Sequence, residues 1–251
     1  MVELVKECRA GLATNFSIFN VIAMYSLIQY STSIICEIFL QYPADLQFLY
    51  WDVALDFLLV LFLGYTGTAA TLTVDKPRNS LFSCTNLFQV IAMFVIQFVA
   101  QFAVIFLYKE LEPDYYEEYG GMDNARAKYE EEDELATSGV ESNALFVFSN
   151  NLYLFSVIAF NISGPWRREF FTNPPLMVVI LLTFAYNAVI ALVPMLRVPD
   201  FELEYLPSFR LELWLYGSSL VVGLLLYLNQ KFILEPICAR LIRRYPHSKW
   251  L

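Results

Sequence analysis

The stretch Asp45-Leu-Gln-Phe-Leu-Tyr-Trp-Asp52-Val-Ala-Leu-Asp56 determines how the rest of the chain is interpreted, because it places three acids at the start of a hydrophobic segment. In an α-helix, positions i, i+7 and i+11 lie on nearly the same face, so the three carboxylates are predicted to form a column that rises about 10 Å and then about 6 Å. A carboxylate inside a membrane-spanning helix costs roughly 2.5 to 3.5 kcal/mol, so it normally faces a partner, a cavity or a bound cation. We interpret the column as a cation-binding ladder. The alternatives are that Asp45 is a surface cap and that Asp52 bonds to a neighbouring helix.

Long apolar runs extend from this stretch in both directions. Hydrophobic residues make up 58% of the 251 residues, against about 45 to 50% in ordinary globular domains. Each run is long enough to cross a bilayer core of about 30 Å, which takes roughly 20 helical residues. The sequence therefore predicts an all-α polytopic membrane protein, with residues 1–251 as a single transmembrane domain. The six helices of this bundle are predicted near residues 12–40, 46–70, 82–108, 144–163, 175–196 and 211–234.

Two local patterns predict how the spans pack. The first span is about 43 Å long at 1.5 Å per residue, so we expect it to tilt or to project into the cytoplasm as a stalk. Tyr42-Pro43 ends that span, and Asp45 has the position of an N-cap or first-turn acid, which makes the first two spans a tight hairpin. The step from Gly217 to Ser219 predicts close packing of the sixth span against a neighbour.

The distribution of basic residues predicts the orientation, because Lys and Arg are enriched in cytoplasmic loops. With the N terminus inside, most of the 16 lysines and arginines are cytoplasmic. Both termini are therefore predicted to be cytoplasmic. The residues on that side are Lys6, Arg9, Lys76, Arg78, Arg167, Arg168, Lys231, Arg240, Arg243, Arg244 and Lys249. The opposite side keeps Lys109, Arg126, Lys128, Arg197 and Arg210.

The segment 109–142 is the extended polar region of the chain and is rich in acids, including the run Glu130-Glu-Glu-Asp-Glu134. A block of like charges is usually disordered and solvated, so we interpret this segment as a flexible lumenal loop. The alternative is a weak attraction of cations toward the membrane. The segment lacks the regular acid spacing of a calcium-binding loop.

Several other classes of site are disfavoured. The four cysteines are scattered without a C-x-x-C pair, which indicates neither a disulfide framework nor a zinc site. There is no basic stripe outside the C-terminal tail, so a nucleic-acid partner is not expected. The tail, Arg240 to Lys249, is predicted to contact anionic lipid headgroups. The single His247 lies in this tail without other metal-ligand residues nearby.

Polar residues on the first span are the second group of candidates. Tyr25 and Gln29 are four residues apart, and the antiparallel second span supplies Asp52 at a matching depth. Gln29 either contributes to a cation site or makes a packing hydrogen bond worth about 0.6 kcal/mol. Glu37, two turns further along, either guards the lumenal exit or extends to the interface.

Aromatic side chains near the acids are the third group. Tyr25 and Phe48 are placed to share the acidic face, and aromatic faces attract cations by about 0.5 to 2 kcal/mol. Tyr50 and Trp51 fit either this role or an interfacial aromatic belt. An elongated, multiply charged cation fits this arrangement, because carboxylates bind its amines and apolar walls contact its methylenes. Its amines, three or four methylenes apart, match the rise of one helical turn.

The chain also resembles the type V-B P-type ATPases, over essentially its whole length. Taken together, the matching motifs indicate the last six helices of a P-type ATPase membrane domain. They are Glu7–Leu12, Ala23–Tyr30, Asp45–Leu49 with Asp52 beyond, Lys76-Pro77, Leu81, Phe148-Ser149, Tyr153-Leu154, Ser163–Arg167 and Phe209-Arg210.

The resemblance implies ATP-driven export of polyamines from late endosomes or lysosomes to the cytosol. By position, the resemblance assigns substrate contact to Tyr25, Gln29, Asp45, Phe48 and Asp52. The placement of charged and aromatic residues along the helices adds Glu37, Trp51 and Asp56 as possible contacts. Asp56 departs from the apolar or hydroxyl residue usual in the family.

Some family motifs do not occur in this sequence. It contains no D-K-T-G-T phosphorylation motif, no T-G-E loop and no G-D-G-x-N-D hinge. Without the aspartyl nucleophile no covalent phosphoenzyme forms, so the chain alone is not expected to hydrolyse ATP. ATP and Mg²⁺ are implied only for a complete pump, as partners supplied by missing cytoplasmic domains. The alternatives are a truncated pseudo-pump that regulates a full-length paralogue, or an independent channel or carrier.

Overall fold

The computed structural model describes residues 1–73, 77, 80–132, 135–136, 138–161 and 165–244. Several residues on which the sequence predictions depend lie outside this described part. They are Lys76 and Arg78, Asp133 and Glu134 of the acidic run, Ser163 and Gly164 of the family motif, and His247 and Lys249 of the tail.

Among the described residues, six helices are long and apolar enough to cross a membrane, which confirms the predicted all-α membrane architecture. Two shorter helices, α4 (Pro113–Tyr119) and α5 (Gly121–Glu132), connect the third of them to the fourth. The six are α1 (Val2–Ile38), α2 (Asp45–Leu63), α3 (Cys84–Leu111), α6 (Val140–Ala159), α7 (Pro174–Leu192) and α8 (Phe209–Leu241).

The α1–α2 hairpin is closed by a turn in which a non-glycine residue takes the left-handed conformation. Leu40 has φ 53°. The N–H groups of Leu40 and Gln41 donate to the carbonyls of Glu37 and Cys36, each at 3.0 Å. This is the hydrogen-bond pattern of a Schellman motif, which satisfies carbonyls at the end of a helix. Asp45 is confirmed as a first-turn acid of α2, although the N-cap position belongs to Ala44.

The predicted second span, 46–70, was too long, because α2 ends at Leu63. Side chains from the distant segment after α6 cap its last carbonyls. Arg167 Nη2 donates to Leu63 O at 2.8 Å, and Asn173 Nδ2 donates to Phe62 O at 2.9 Å. Burial lowers the pKa of Arg167 to about 10, so this guanidinium remains charged at neutral pH, where it complements the negative end of the helix dipole.

The prediction of a flexible loop over 109–142 was wrong for most of that segment. The described part forms the end of α3, then α4 and α5, then the first turn of α6 from Val140. The carboxylate of Glu141, only 1% exposed, holds these pieces together. It accepts from the backbone N–H of Gly121 at 2.7 Å and from Gln41 Nε2 at 2.8 Å. Burial, together with the nearby Glu141, raises the pKa of Tyr116 in α4.

Helix α6 is the centre of the bundle. In its most apolar 18-residue window, 83% of residues are buried inside the protein, against 33–39% in the other five spans. Its polar side chains bond to surrounding helices, which is how polar groups are satisfied within a membrane. The contacts are Gln101 Nε2 to Ser149 Oγ at 3.0 Å, Trp51 Nε1 to Asn150 Oδ1 at 2.7 Å, and Asn151 Nδ2 to Ser219 Oγ at 2.7 Å. Helix α6 thereby fixes the position of α2 through Trp51.

Candidate functional site

Three predicted site residues meet where α1 crosses α2, and we call them the Asp52 cluster: Tyr25, Gln29 and Asp52. Tyr25 and Gln29 lie one turn apart on α1. The Tyr25 hydroxyl donates to Asp52 Oδ1, and Gln29 Nε2 donates to the same oxygen at 3.4 Å. Asp52 is exposed on the surface of the bundle, while Tyr25 and Gln29 are half-buried. The carboxylate is therefore oriented by two neutral donors and still open on its outer side.

The backbone beneath this carboxylate is a π-helix, Trp51–Phe57, set between α-helical turns Asp45–Tyr50 and Leu58–Leu63. In a π-helix each N–H bonds five residues back, so the winding is wider than in an α-helix, and such segments occur frequently at functional sites. The α-helical register that would stack Asp45, Asp52 and Asp56 in one column does not continue past Tyr50. The predicted column assumed an unbroken α-helix from Asp45 to Asp56, and the structure has π-helical winding from Trp51 instead.

Aromatic rings form the inner wall of the site. Trp51 is fully buried, and its indole N–H bonds to Asn150 of α6. Its ring centroid lies 5.5 Å from that of Phe48, edge to face, and 5.7 Å from that of Tyr153. Tyr153 in turn packs against Tyr25, with centroids 5.5 Å apart. Trp51 therefore supports the site from behind, while Phe48 is half-buried beside it.

The remaining predicted site residues lie at other positions along the helix axes. Asp45 is exposed at the start of α2, about 10 Å of helical rise from Asp52. Glu37 is exposed near the end of α1, about 12 Å of helical rise beyond Gln29. Asp56 follows Asp52 within the π-helix and is half-buried. The structure thus brings Tyr25, Gln29 and Asp52 into contact, but not Asp45 or Glu37.

Sequence reasoning missed the contribution of α6 to this site. Asn150 fixes Trp51, and Tyr153 packs against both Trp51 and Tyr25. The available signal was the polar run Ser149-Asn-Asn151 inside an apolar span, since intramembrane polar residues face other helices rather than lipid. That run identifies the most enclosed helix, although it does not show which neighbours it contacts.

The site carries negative charge that no ion pair among the described residues neutralises. In the described ranges no lysine or arginine forms an ion pair with Asp52 or Asp56. Acids in membrane spans usually pair with a cationic group or mark an ion or substrate path. The arrangement suits a positively charged ligand that carries hydrogen-bond donors. Elsewhere in the bundle, Lys6 forms an ion pair with Glu3 and Arg197 forms one with Glu212.

Comparison with known proteins gives a consistent result. The family model described as "Cation transporting ATPase, C-terminus" matches residues 44–231. Polyamine-transporting ATPase 13A2 of Homo sapiens is 27% identical over 252 residues, which cover 98% of this chain and 20% of that protein. Polyamine-transporting ATPase 13A3 of Homo sapiens is 27% identical over 209 residues, covering 78% of the chain and 17% of that protein. Cation-transporting ATPase catp-5 of Caenorhabditis elegans is 26% identical over 239 residues, which cover 94% of this chain and 19% of that protein. The chain therefore spans about a fifth of the length of these relatives.

Proposed function

Because this chain belongs to the family of cation-transporting ATPase C-terminal membrane domains, we propose that its Asp52 cluster supplies half of an intramembrane polyamine site in an ATP-driven transporter. The observation that carries the proposal is the Asp52 carboxylate, which is held by Tyr25 and Gln29 inside a membrane-spanning helix and has no cationic partner in the described part. Relatives whose names state polyamine transport support the choice of ligand.

The chemistry of a polyamine fits this cluster. An ammonium group carries three N–H donors, and a carboxylate accepts them in charge-assisted hydrogen bonds. The rings of Tyr25 and Phe48 lie beside the acid, where they contact methylene groups and attract an ammonium group through their π-faces. Neutral donors leave the negative charge of Asp52 in place for the ligand, whereas a lysine or arginine partner would cancel it.

The energy source belongs to the complete pump in this proposal. The sequence has no D-K-T-G-T motif, so ATP and Mg²⁺ act on other domains and the chain alone does not hydrolyse ATP. We place the pump in a late endosomal or lysosomal membrane with both termini of this chain in the cytosol. The orientation is supported by Lys6, Arg9 and Arg167, which gather at the end of the bundle where α2 ends.

Asp52→Asn is expected to weaken spermine binding by about tenfold or more, because a charged hydrogen bond contributes roughly 1.5 to 3 kcal/mol. Asparagine keeps the shape of the side chain and still accepts from Tyr25, so the α1–α2 contact is retained. The measurement is isothermal titration of spermine into the full chain in lipid nanodiscs.

Glu110→Gln is the matched control, because it removes one exposed acid far from the cluster. It is expected to bind spermine like the unmodified chain. Equal affinity of the Asp52→Asn and Glu110→Gln variants would contradict the assignment of Asp52, and the absence of spermine binding by the unmodified chain would contradict the proposed half-site.

A further inference from the structure

Two buried polar atoms lie behind Asp52 without a hydrogen-bond partner among the residues that the structure describes: Asp56 Oδ1 and the Tyr153 hydroxyl. Tyr153 is only 3% exposed. Buried polar groups are normally hydrogen-bonded, since leaving one unsatisfied carries the full cost of removing it from water. Two such atoms in one place need a physical explanation.

Asp56 and Tyr153 both lie close to Asp52. The Tyr153 hydroxyl interacts electrostatically with Tyr25, Asp52 and Asp56, and Asp56 interacts with Asp52. The Tyr153 ring contacts both Tyr25 and Trp51, with centroids 5.5 Å and 5.7 Å apart. Trp51 is itself fixed by a hydrogen bond to Asn150 of α6. The Tyr153 ring is therefore held by its contacts with Trp51 and Tyr25, and its hydroxyl is not held by a hydrogen bond within the described residues.

One ligand satisfies both atoms if it donates hydrogen bonds to the carboxylate and to the phenol oxygen at once, since a phenol oxygen accepts as well as donates. An ammonium group does this with its three N–H donors, and its charge also offsets that of Asp56. Asp52 and Asp56 are four residues apart within the π-helical segment of α2 and are close enough to interact electrostatically. A molecule with two ammonium groups can therefore contact both carboxylates.

We propose that Asp56 and Tyr153 form an inner subsite for one ammonium group, while Asp52 binds a second ammonium group of the same molecule. The site then selects cations with two amines over cations with one. This inference rests on the proposed function and deepens it, since it names the residues that bind the second ammonium group of the ligand.

The test compares two probes that differ by one ammonium group, 1,4-diaminobutane and n-butylamine, each titrated into the full chain in lipid nanodiscs. The unmodified chain is expected to bind the diamine more tightly. Asp56→Asn is expected to weaken diamine binding by about tenfold and monoamine binding by less than about twofold, because it removes one charged hydrogen bond. Tyr153→Phe is expected to reduce the diamine preference by a smaller factor, and Asp56→Glu to retain it.

The outcomes separate this inference from the proposed function. A diamine preference that survives Asp56→Asn, or an equal loss for both probes, overturns the inner subsite and leaves Asp52-dependent binding in place. Displacement of the diamine by equimolar K⁺ also overturns it, because the subsite would then hold a small ion. Failure of the unmodified chain to bind either probe contradicts the proposed function itself. Circular dichroism of each variant verifies that the helices are intact, and Glu110→Gln is the charge control.

Discussion

Replacing Arg197 with alanine is expected to lower the free energy of unfolding of the detergent-solubilised chain by about 3 to 5 kcal/mol, because it leaves a buried carboxylate without its cationic partner. Arg197 Nη2 lies 2.5 Å from Glu212 Oε1, and the side chains of the two residues are only 10% and 3% exposed. The same guanidinium donates to the carbonyls of Ile190 and Ala191, each at 2.7 Å. One side chain therefore joins the end of α7 to the start of α8.

The measurement is thermal unfolding followed by circular dichroism, with a mutant cycle to isolate the pair. Glu212→Ala is expected to destabilise the chain to a similar degree. The double replacement Arg197→Met with Glu212→Leu is expected to recover much of the loss, since well-packed apolar residues often substitute for a buried ion pair. Arg210→Ala, at an exposed site two residues before Glu212, is the matched control. If Arg197→Ala lowers the free energy of unfolding no more than Arg210→Ala does, the Arg197–Glu212 pair is not a major stabilising contact.

Gly223→Ala is expected to destabilise the α6–α8 contact by about 1 to 3 kcal/mol through overpacking. A β-carbon at position 223 would lie 2.1 Å from Cδ2 and 2.6 Å from Cγ of Phe155 on α6. The Phe155 ring is rigid, so it cannot relieve this contact by a small movement of one atom. Either α6 and α8 separate or the ring moves to another position. The measurement is again thermal unfolding of the detergent-solubilised chain.

Gly217→Ala on the same helix is the control, because a β-carbon there meets no atom within 4 Å in the described structure. Gly217→Ala is expected to raise the stability of the chain slightly, since glycine in a helix is less favourable than alanine by roughly 0.5 to 1 kcal/mol. Adding Phe155→Leu to Gly223→Ala is expected to relieve the clash in part. Equal stability of the two alanine variants would be inconsistent with a close approach at Gly223. The step that the sequence suggested for close packing, Gly217 to Ser219, contributes through the Ser219 hydroxyl bond to Asn151 rather than through Gly217.

Much of the fold follows from the sequence because span length and hydropathy are local properties. The six helices and the Tyr42-Pro43 break were predictable in this way. The contact of Asp52 with Tyr25 and Gln29 was also accessible, because a tight antiparallel hairpin places residues of both spans at one depth.

The features that were not predicted depend on residues far apart in the chain. α2 ends at Leu63, where Arg167, more than 100 residues later, binds its last carbonyl. The acidic segment is helical where Glu141 fixes it to the hairpin, a contact that no charge pattern reveals. The relation of Asp56 to Tyr153 requires both the π-helical winding of α2 and its packing on α6.

The attachment of the acidic helices at Gly121 has a consequence for how freely their sequence can change. Glu141 binds a main-chain N–H there, so no side chain of α4 or α5 is needed for that bond. The outward acids of both helices are thus replaceable without loss of the anchor. Position 121 itself is constrained for another reason, because its φ of +83° suits glycine and strains most other residues. A proline at that position would remove the donor and with it the bond to Glu141.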